Sequence, residues 1–279
     1  MMSPLRPLAA ACAVSLLSLG MALAQPATAP SAAPAATAPA YEPKSGQAGK
    51  DVVWVPTQQA LVDTMLNMAG ATPADYVIDL GSGDGRTVIT AAQRGIRALG
   101  IEYNADLVAL SQRNAQKEGV AEKALFRQGD IFETDFSEAT VLTLFLLPDL
   151  NLKLRPTILD MKPGTRVVSN TFTMDDWQPD ETVSLAENCS SFCRAHKWIV
   201  PAKVGGTWRL PDGELRLEQK FQMLSGTLTS GGTSVPITEG RMNGSEIVFT
   251  ANGRRYAGKV ENDRITGTGD NWTATRSAS

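Results

Sequence analysis

The run VIDLGSGDGR, Val77 to Arg86, constrains this chain more than any other stretch. Its apolar, β-branched start ending in Asp79 and Leu80 reads as a buried strand, and Gly81, Gly83 and Gly85 read as a tight turn into a helix. A strand, a glycine turn and a helix in that order begin a βαβ unit, which commits the chain to an α/β fold. The surrounding sequence keeps the same rhythm. Before the run, Thr57 can cap a helix carrying Leu61, Val62, Met65 and Met68 at helical spacing, closed by Gly70. After it, a helix runs to Gly95 and a strand, ALGIEY, ends at Glu102 and Tyr103. Asn104 then caps a helix to about Gly119, and a third strand, ALFRQGD, ends in Asp130. ATVLTLFLL is apolar almost throughout, as a strand covered on both faces should be. A helix through Met161, stopped by Pro163-Gly164, and a fifth strand, TRVVSNTF, complete the expected α/β domain, a doubly wound, mostly parallel sheet over residues 51–204.

From residue 205 to 279 the helical spacing disappears. Short alternating runs are separated by Pro211-Asp212-Gly213, Ser225-Gly226, Gly231-Gly232, Asn243-Gly244, Asn252-Gly253 and Asn262-Asp263. This predicts a separate antiparallel β module, a small barrel or sandwich, with Ile247, Phe249, Tyr256, Val260 and Trp272 on its inward face.

The other end of the chain reads as an address and a spacer. Arg6 precedes an apolar run that finishes in Ala22-Leu23-Ala24, the small-x-small pattern of a cleaved signal peptide. We expect residues 1–24 to be removed and the protein to be periplasmic or secreted, the alternative being an uncleaved anchor. Residues 25–50, mostly Ala, Pro and small polar residues, bury too little apolar area to offset their ordering entropy and read as a linker. Cys189 and Cys193 agree with export as a local disulfide; with His196, the single histidine, they also make three ligands of a zinc site, and free thiols are the third reading. With Lys+Arg 26 against Asp+Glu 29, the chain shows no excess of cations for tracking phosphates, so no nucleic-acid partner is expected.

A glycine turn admits a ligand to the backbone, and two ligand classes use such an opening. Dinucleotides place a pyrophosphate over the helix N-terminus and require G-x-G-x-x-G. Here Asp84 occupies the spacing Gly81-Ser82-Gly83-Asp84-Gly85, and its charge repels phosphate. A cationic sulfonium compound suits the acids better. VIDLGSGDGR resembles the first motif of class I S-adenosylmethionine-dependent methyltransferases, and the resemblance continues in order along the chain. It implies S-adenosylmethionine as cofactor, with Asp79, Gly81, Ser82, Gly83 and Asp84 around it, Glu102 on the ribose hydroxyls, Tyr103 and Ile131 against adenine, and Asp130 on the adenine amino group. A narrower resemblance covers Trp54 to about Thr207. WVPTQQALVDTML, SEATVLTLFLLPDLNLKLRP and RVVSNTFTMDDWQPD look like bacterial relatives of the mitochondrial protein-lysine methyltransferases that act on the adenine nucleotide translocase and on a component of ATP synthase. In that family the V-P-T segment closes over the cofactor, which makes Thr57 a candidate for its methionine end. The chain departs from the pattern at Trp54, where tyrosine is usual, and Gln58, where proline is usual.

The fourth strand ends LFLLPDLN and lacks the Asn/Asp-Pro-Pro-Tyr tetrad that holds a planar nitrogen, so base and glutamine methylation are disfavoured. What the resemblance implies is methyl transfer to an amine, of a protein lysine or a small molecule, with Asp149 and Asp175 as nearby acids to which no role is assigned. A second function class is an exported, non-catalytic protein that reuses the cleft for a nucleoside-like ligand. The β module is then free to meet an envelope partner, or is a stabilising appendage. A dinucleotide oxidoreductase is a third class, disfavoured by Asp84.

Overall fold

The computed structural model describes residues 41–187, 189–269 and 271–277. The expected signal peptide and the first part of the expected linker lie outside the described residues. Strands β1 (Tyr76–Leu80), β2 (Arg97–Glu102), β3 (Ala124–Gln128), β4 (Val141–Leu144) and β5 (Arg166–Asn170) are parallel, and β7 (Arg194–Ile199) and β6 (Glu181–Ser184) extend the sheet antiparallel to β5 and to each other in turn. The order is β3-β2-β1-β4-β5-β7-β6. Helices α1 (Gln59–Met68), α2 (Arg86–Gln93), α3 (Ala105–Lys117) and α4 (Pro148–Leu159) link the strands.

Burial explains the sheet. β1 and β4 are buried along nearly their whole length, so their apolar, β-branched composition follows from being covered on both faces. One core packs Leu61, Val62 and Leu66 of α1 and Val88 of α2 against Val77 and Val168, and the other packs Leu154 and Ile158 of α4 against Leu80, Leu142 and Trp198. Asn104 caps α3 as expected, its side chain accepting from the amides of Asp106 and Leu107 at 2.8 and 3.3 Å.

Four local expectations change. Thr57 does not cap α1; Gln58 precedes the helix without a side-chain cap, because the Thr57 hydroxyl accepts from Asn170 and its carbonyl from Arg86. β4 is shorter than ATVLTLFLL, since the chain leaves the sheet after Leu144 and Pro148 opens α4, which holds Leu147 extended. Ser225-Gly226 is no turn. It lies inside β10 (Met223–Ser230), where the register with the next strand shifts and a Cβ on Gly226 would sit 1.9 Å from the Arg216 carbonyl oxygen. Finally, residues 41–50 are structured: Ala48 bridges Val53, and the Gly46 amide donates to the Trp54 carbonyl at 2.8 Å.

The C-terminal strands β8 (Gly206–Leu210), β9 (Gly213–Lys220), β10, β11 (Thr233–Asn243), β12 (Glu246–Ala251), β13 (Arg254–Glu261), β14 (Arg264–Gly267) and β15 (Thr273–Arg276) close into an eight-stranded barrel. Trp208, Leu215, Ile247, Phe249 and Ile265 fill it, and Tyr256 stacks on Phe249 with ring centroids 4.8 Å apart. The barrel is fastened to the sheet by the stack of Trp177 on Phe221, by Asp180 receiving Arg241 and Gln222, and by the Ala202 amide donating to Gly244. These anchors lie by the first residues of β5 and β6, at the end of the strands opposite the glycine turn. Among the described residues no helix is long and apolar enough to cross a membrane.

Candidate functional site

The chain leaves β1 for β2 on one side and later returns to β4 on the other, so a crevice opens at the carboxyl ends of these strands, at a topological switch point. A cavity of about 600 Å³ occupies it. Thr57, Asp79, Gly81, Ser82, Gly83, Asp84, Glu102, Tyr103, Asp130 and Ile131, far apart in sequence, all line this one space.

The glycine turn forms its floor. Gly81, Gly83 and Gly85 have φ of 79°, 55° and 83°, the left-handed region that glycine enters without a Cβ penalty. The amides of Gly81 and Ser82 donate to the Ile101 carbonyl at 2.8 and 3.1 Å, which pins the turn to the end of β2. A Cβ on Gly83 would fall 2.5 Å from Trp54 Nε1, so the indole lies directly over the turn. The Ser82 hydroxyl packs against β2, where a Cβ on Gly100 would meet it at 2.5 Å, and it has no hydrogen-bond partner among the described residues.

Three carboxylates surround the floor, each held differently. Glu102 accepts from the Gly83 and Asn104 amides, both at 2.9 Å, one on each oxygen. Asp79 is buried and accepts from the Thr143 hydroxyl at 2.6 Å. Burial pushes its carboxyl up to about 7, opposed by that hydrogen bond and reinforced by the negative charge of Glu102. Asp84 is clasped by the guanidinium of Arg86, whose Nε donates to Oδ1 at 3.0 Å while Nη1 reaches the Thr57 carbonyl at 2.8 Å. The charge invoked against phosphate is therefore partly neutralised by Arg86, yet that guanidinium is committed to Asp84 and Thr57.

Asp130 lies beyond the end of β3. One oxygen is paired with Lys50, and the other accepts from the Phe132 amide at 2.9 Å. The ammonium of Lys50 holds the Asp130 carboxyl below the usual carboxylate range, and Lys50 is itself raised by the same bond. Lys50 also stands 4.9 Å from the centroid of the exposed Tyr103 ring.

At the other end the wall is apolar: Leu144, Phe145, Leu146, Leu147, Leu150 and Phe172. Phe192 joins them from the loop closed by the Cys189–Cys193 disulfide. That disulfide removes the thiolates a zinc site needs, and His196 instead contacts the Thr182 hydroxyl at 2.9 Å and the Thr171 carbonyl at 3.2 Å. Burial lowers the His196 pKa, in keeping with a neutral structural ring. Asp149 and Asp175 are exposed and do not line the cavity.

Several residues of the site come from outside the strand-end pattern and escape a reading of the sequence. Lys50 falls in a stretch of linker composition, Arg86 ends the glycine-turn motif without a role legible for it, and Thr143, Asn170 and the three phenylalanines carry no local signature. Trp54 has a signal, as a departure from the tyrosine usual at its place.

The cavity fits S-adenosylmethionine. Asp79, Asp84 and Glu102 stand around its floor, and the two cations among the described residues that line it, Arg86 and Lys50, are each already paired with a carboxylate, which favours a cationic ligand. Its volume lies within the range of small-molecule sites.

Comparison with known proteins agrees. A family model described as the ANTKMT methyltransferase domain matches residues 79–181. A protein-lysine N-methyltransferase of Saccharolobus islandicus is 42% identical over 139 residues, which is 49% of this chain and 86% of that protein. The adenine nucleotide translocase lysine N-methyltransferase of Mus musculus is 32% identical over 130 residues, 46% of this chain and 56% of the mouse protein. Among solved structures, one described as an RNA methyltransferase from Salinibacter ruber in complex with S-adenosyl-L-homocysteine is 47% identical, with a TM-score of 0.51, covering 54% of this chain and 96% of its own.

Proposed function

This chain belongs to the S-adenosylmethionine-dependent methyltransferase family of the ANTKMT type, and on that premise we propose that it methylates the side-chain amine of a protein lysine. The apolar acceptor end of the cleft carries this reading. A wall of leucines and phenylalanines suits the four-carbon stem of lysine and offers none of the paired polar groups that a flat amide or base nitrogen needs. The non-catalytic alternative gains nothing from the relatives above, each of which is described as a methyltransferase.

In this reading Glu102 takes the ribose hydroxyls with the lone pairs left over from Gly83 and Asn104, and Asp79 faces the ammonium of the methionine end beside Thr57. Tyr103 and Ile131 flank adenine. Asp130 receives its amino group once Lys50 yields one oxygen. When bound, the cofactor supplies a methyl carbon on a sulfonium: the amine lone pair makes the new C–N bond while the C–S pair passes to sulfur. The protein's part is to align the amine and strip its water. The lysine ammonium must lose its proton before its lone pair can attack.

Incubating the purified protein with radiolabelled cofactor and a cell-envelope extract tests the acceptor. The label is expected in protein, on lysine by mass spectrometry, and destroyed by protease. Label destroyed only by ribonuclease would move the acceptor to RNA, the class named for the Salinibacter structure. A net charge of −3 argues against that class.

We also infer that the enzyme works outside the cytoplasm, supported by the composition of residues 1–24 and by the disulfide. The barrel, docked at the strand ends away from the cleft, contributes none of its described residues to the cavity and is the portion available to an envelope partner. Residues 1–30 fused to a phosphatase that is active only after export should give an active reporter, and an inactive one would place the protein in the cytoplasm.

A further inference from the structure

Three phenylalanines from three separate loops meet at the acceptor end of the cleft. Phe145 follows β4, Phe172 follows β5, and Phe192 lies in the disulfide loop. Their ring centroids are 5.2 Å apart for Phe145 and Phe192, edge to face, and 6.1 Å for each of the other two pairs.

The main chain beside each ring is placed by its own device. The Phe172 carbonyl receives Ser169 Oγ at 2.7 Å and the Nδ2 of fully buried Asn151 at 3.3 Å. Phe145 is held between the last residue of β4 and the start of α4. Phe192 has φ 55°, a conformation that costs a side-chain-bearing residue on the order of 1–2 kcal/mol. It lies in the short loop closed by Cys189–Cys193, and Gln58 Nε2 donates to Ser190 Oγ at 3.1 Å and to the Ser191 carbonyl at 3.3 Å, tying that loop to the segment before α1. The result is a large ring 40% exposed to water at the mouth of a cavity, in strained backbone, with a covalent brace. Phe192 packs on Phe145 and Phe172 and still lines the open cavity.

We propose that Phe145, Phe172 and Phe192 form an aromatic subsite for the alkylammonium head of the methyl acceptor, and that the Cys189–Cys193 disulfide serves to position Phe192 as its outer wall. The π faces of aromatic rings attract cations, most of all poorly hydrated ones, and they also pack against methylene groups. A lysine side chain presents both, and each methyl group it gains keeps the charge while weakening the hydration. The subsite therefore recognises the acceptor on entry and its methylated product on exit. The disulfide acts through Phe192 and touches no ligand.

This inference rests on the amine reading of the acceptor, so its test uses a probe that requires no methyl transfer. The full chain, loaded with S-adenosylhomocysteine, is titrated in a calorimeter with butyltrimethylammonium and with the uncharged carbon isostere of that cation. The cation should bind about tenfold more tightly than the isostere. Phe192→Ala should erase the preference, and so should the double variant Cys189→Ser/Cys193→Ser. In the Phe192→Ala background, reduction of the disulfide should change nothing further, which a merely structural brace would not predict. With a lysine acceptor in hand, the same variants should raise its KM about tenfold and leave kcat and cofactor affinity nearly unchanged. Equal binding of cation and isostere, no binding of either, or a preference surviving in both variants would overturn the proposal. Lysine methylation without a cation preference would sink this subsite and keep the enzyme; a cation preference without lysine methylation would do the reverse.

Discussion

Glu102→Ala is expected to weaken S-adenosylmethionine binding by about two to four orders of magnitude and to leave a folded protein. Both oxygens of this buried carboxylate already accept a main-chain amide, from Gly83 and from Asn104, so the group is fixed in place before any ligand arrives. Its remaining lone pairs are charged acceptors for two neighbouring hydroxyls. Each such bond contributes about 1.5–3 kcal/mol, and losing two corresponds to a dissociation constant larger by about 10² to 10⁴. Alanine also frees the Gly83 amide, so the turn loses definition along with the ligand. Glu102→Gln separates the two effects: its one amide oxygen satisfies one of the two main-chain donors, and its uncharged head leaves a smaller loss, roughly tenfold to a hundredfold. Calorimetric titration measures the affinities, and thermal denaturation without cofactor shows whether the fold persists. An unchanged dissociation constant in Glu102→Ala would remove the ribose role from this residue.

The acids at the strand ends are legible in the sequence because parallel strands are written plainly. Tyr76–Leu80 and Arg97–Glu102 are largely buried, so their runs are apolar, and the acid near the end of each, Asp79 or Glu102, stands at the crevice. The antiparallel edge is not legible, since Glu181–Ser184 and Arg194–Ile199 mix charged and apolar residues without a clean period. Apolarity misleads at Phe145 to Leu147, which leave the sheet and line the cavity instead of continuing β4. Turn chemistry misleads twice in the barrel. Gly226 sits in a bulge within a strand, and the reversal between β9 and β10 uses Phe221 in the left-handed region without any glycine. Composition places Lys50 in a linker, although its ammonium is paired with Asp130, and only the tertiary fold brings those two residues together. The aromatic subsite escapes for the same reason: single phenylalanines on three loops have no spacing to read.

Asp79 should make both stability and cofactor affinity depend on pH, with opposite signs. Its folded-state pKa of about 7 lies above the ordinary 3.8 because burial disfavours the charged form. The native state therefore holds a proton that the unfolded chain releases, and the stability this gives is complete below about 3.8 and is lost as pH rises to about 7. A shift of that size corresponds to on the order of 4 kcal/mol between those limits, with no further loss above. His196 slopes the other way near neutrality, because its pKa is lowered by burial, so the measurement is the difference between the native protein and Asp79→Asn in urea denaturation from about pH 4.5 to 8. The variant keeps an oxygen for Thr143 and should lack the decline. A cationic ligand reverses the preference at this residue, since the charged carboxylate then faces an ammonium. Binding of S-adenosylmethionine below about pH 7 must expel the proton, and affinity should improve about tenfold per pH unit from roughly 5.5 towards 7, then level off. Titrations in buffers of different ionisation enthalpy should count about one proton released near pH 6 and close to none near pH 8. An affinity constant across that range, or proton release that persists in Asp79→Asn, would show that the cofactor's positive charge lies elsewhere in the cleft.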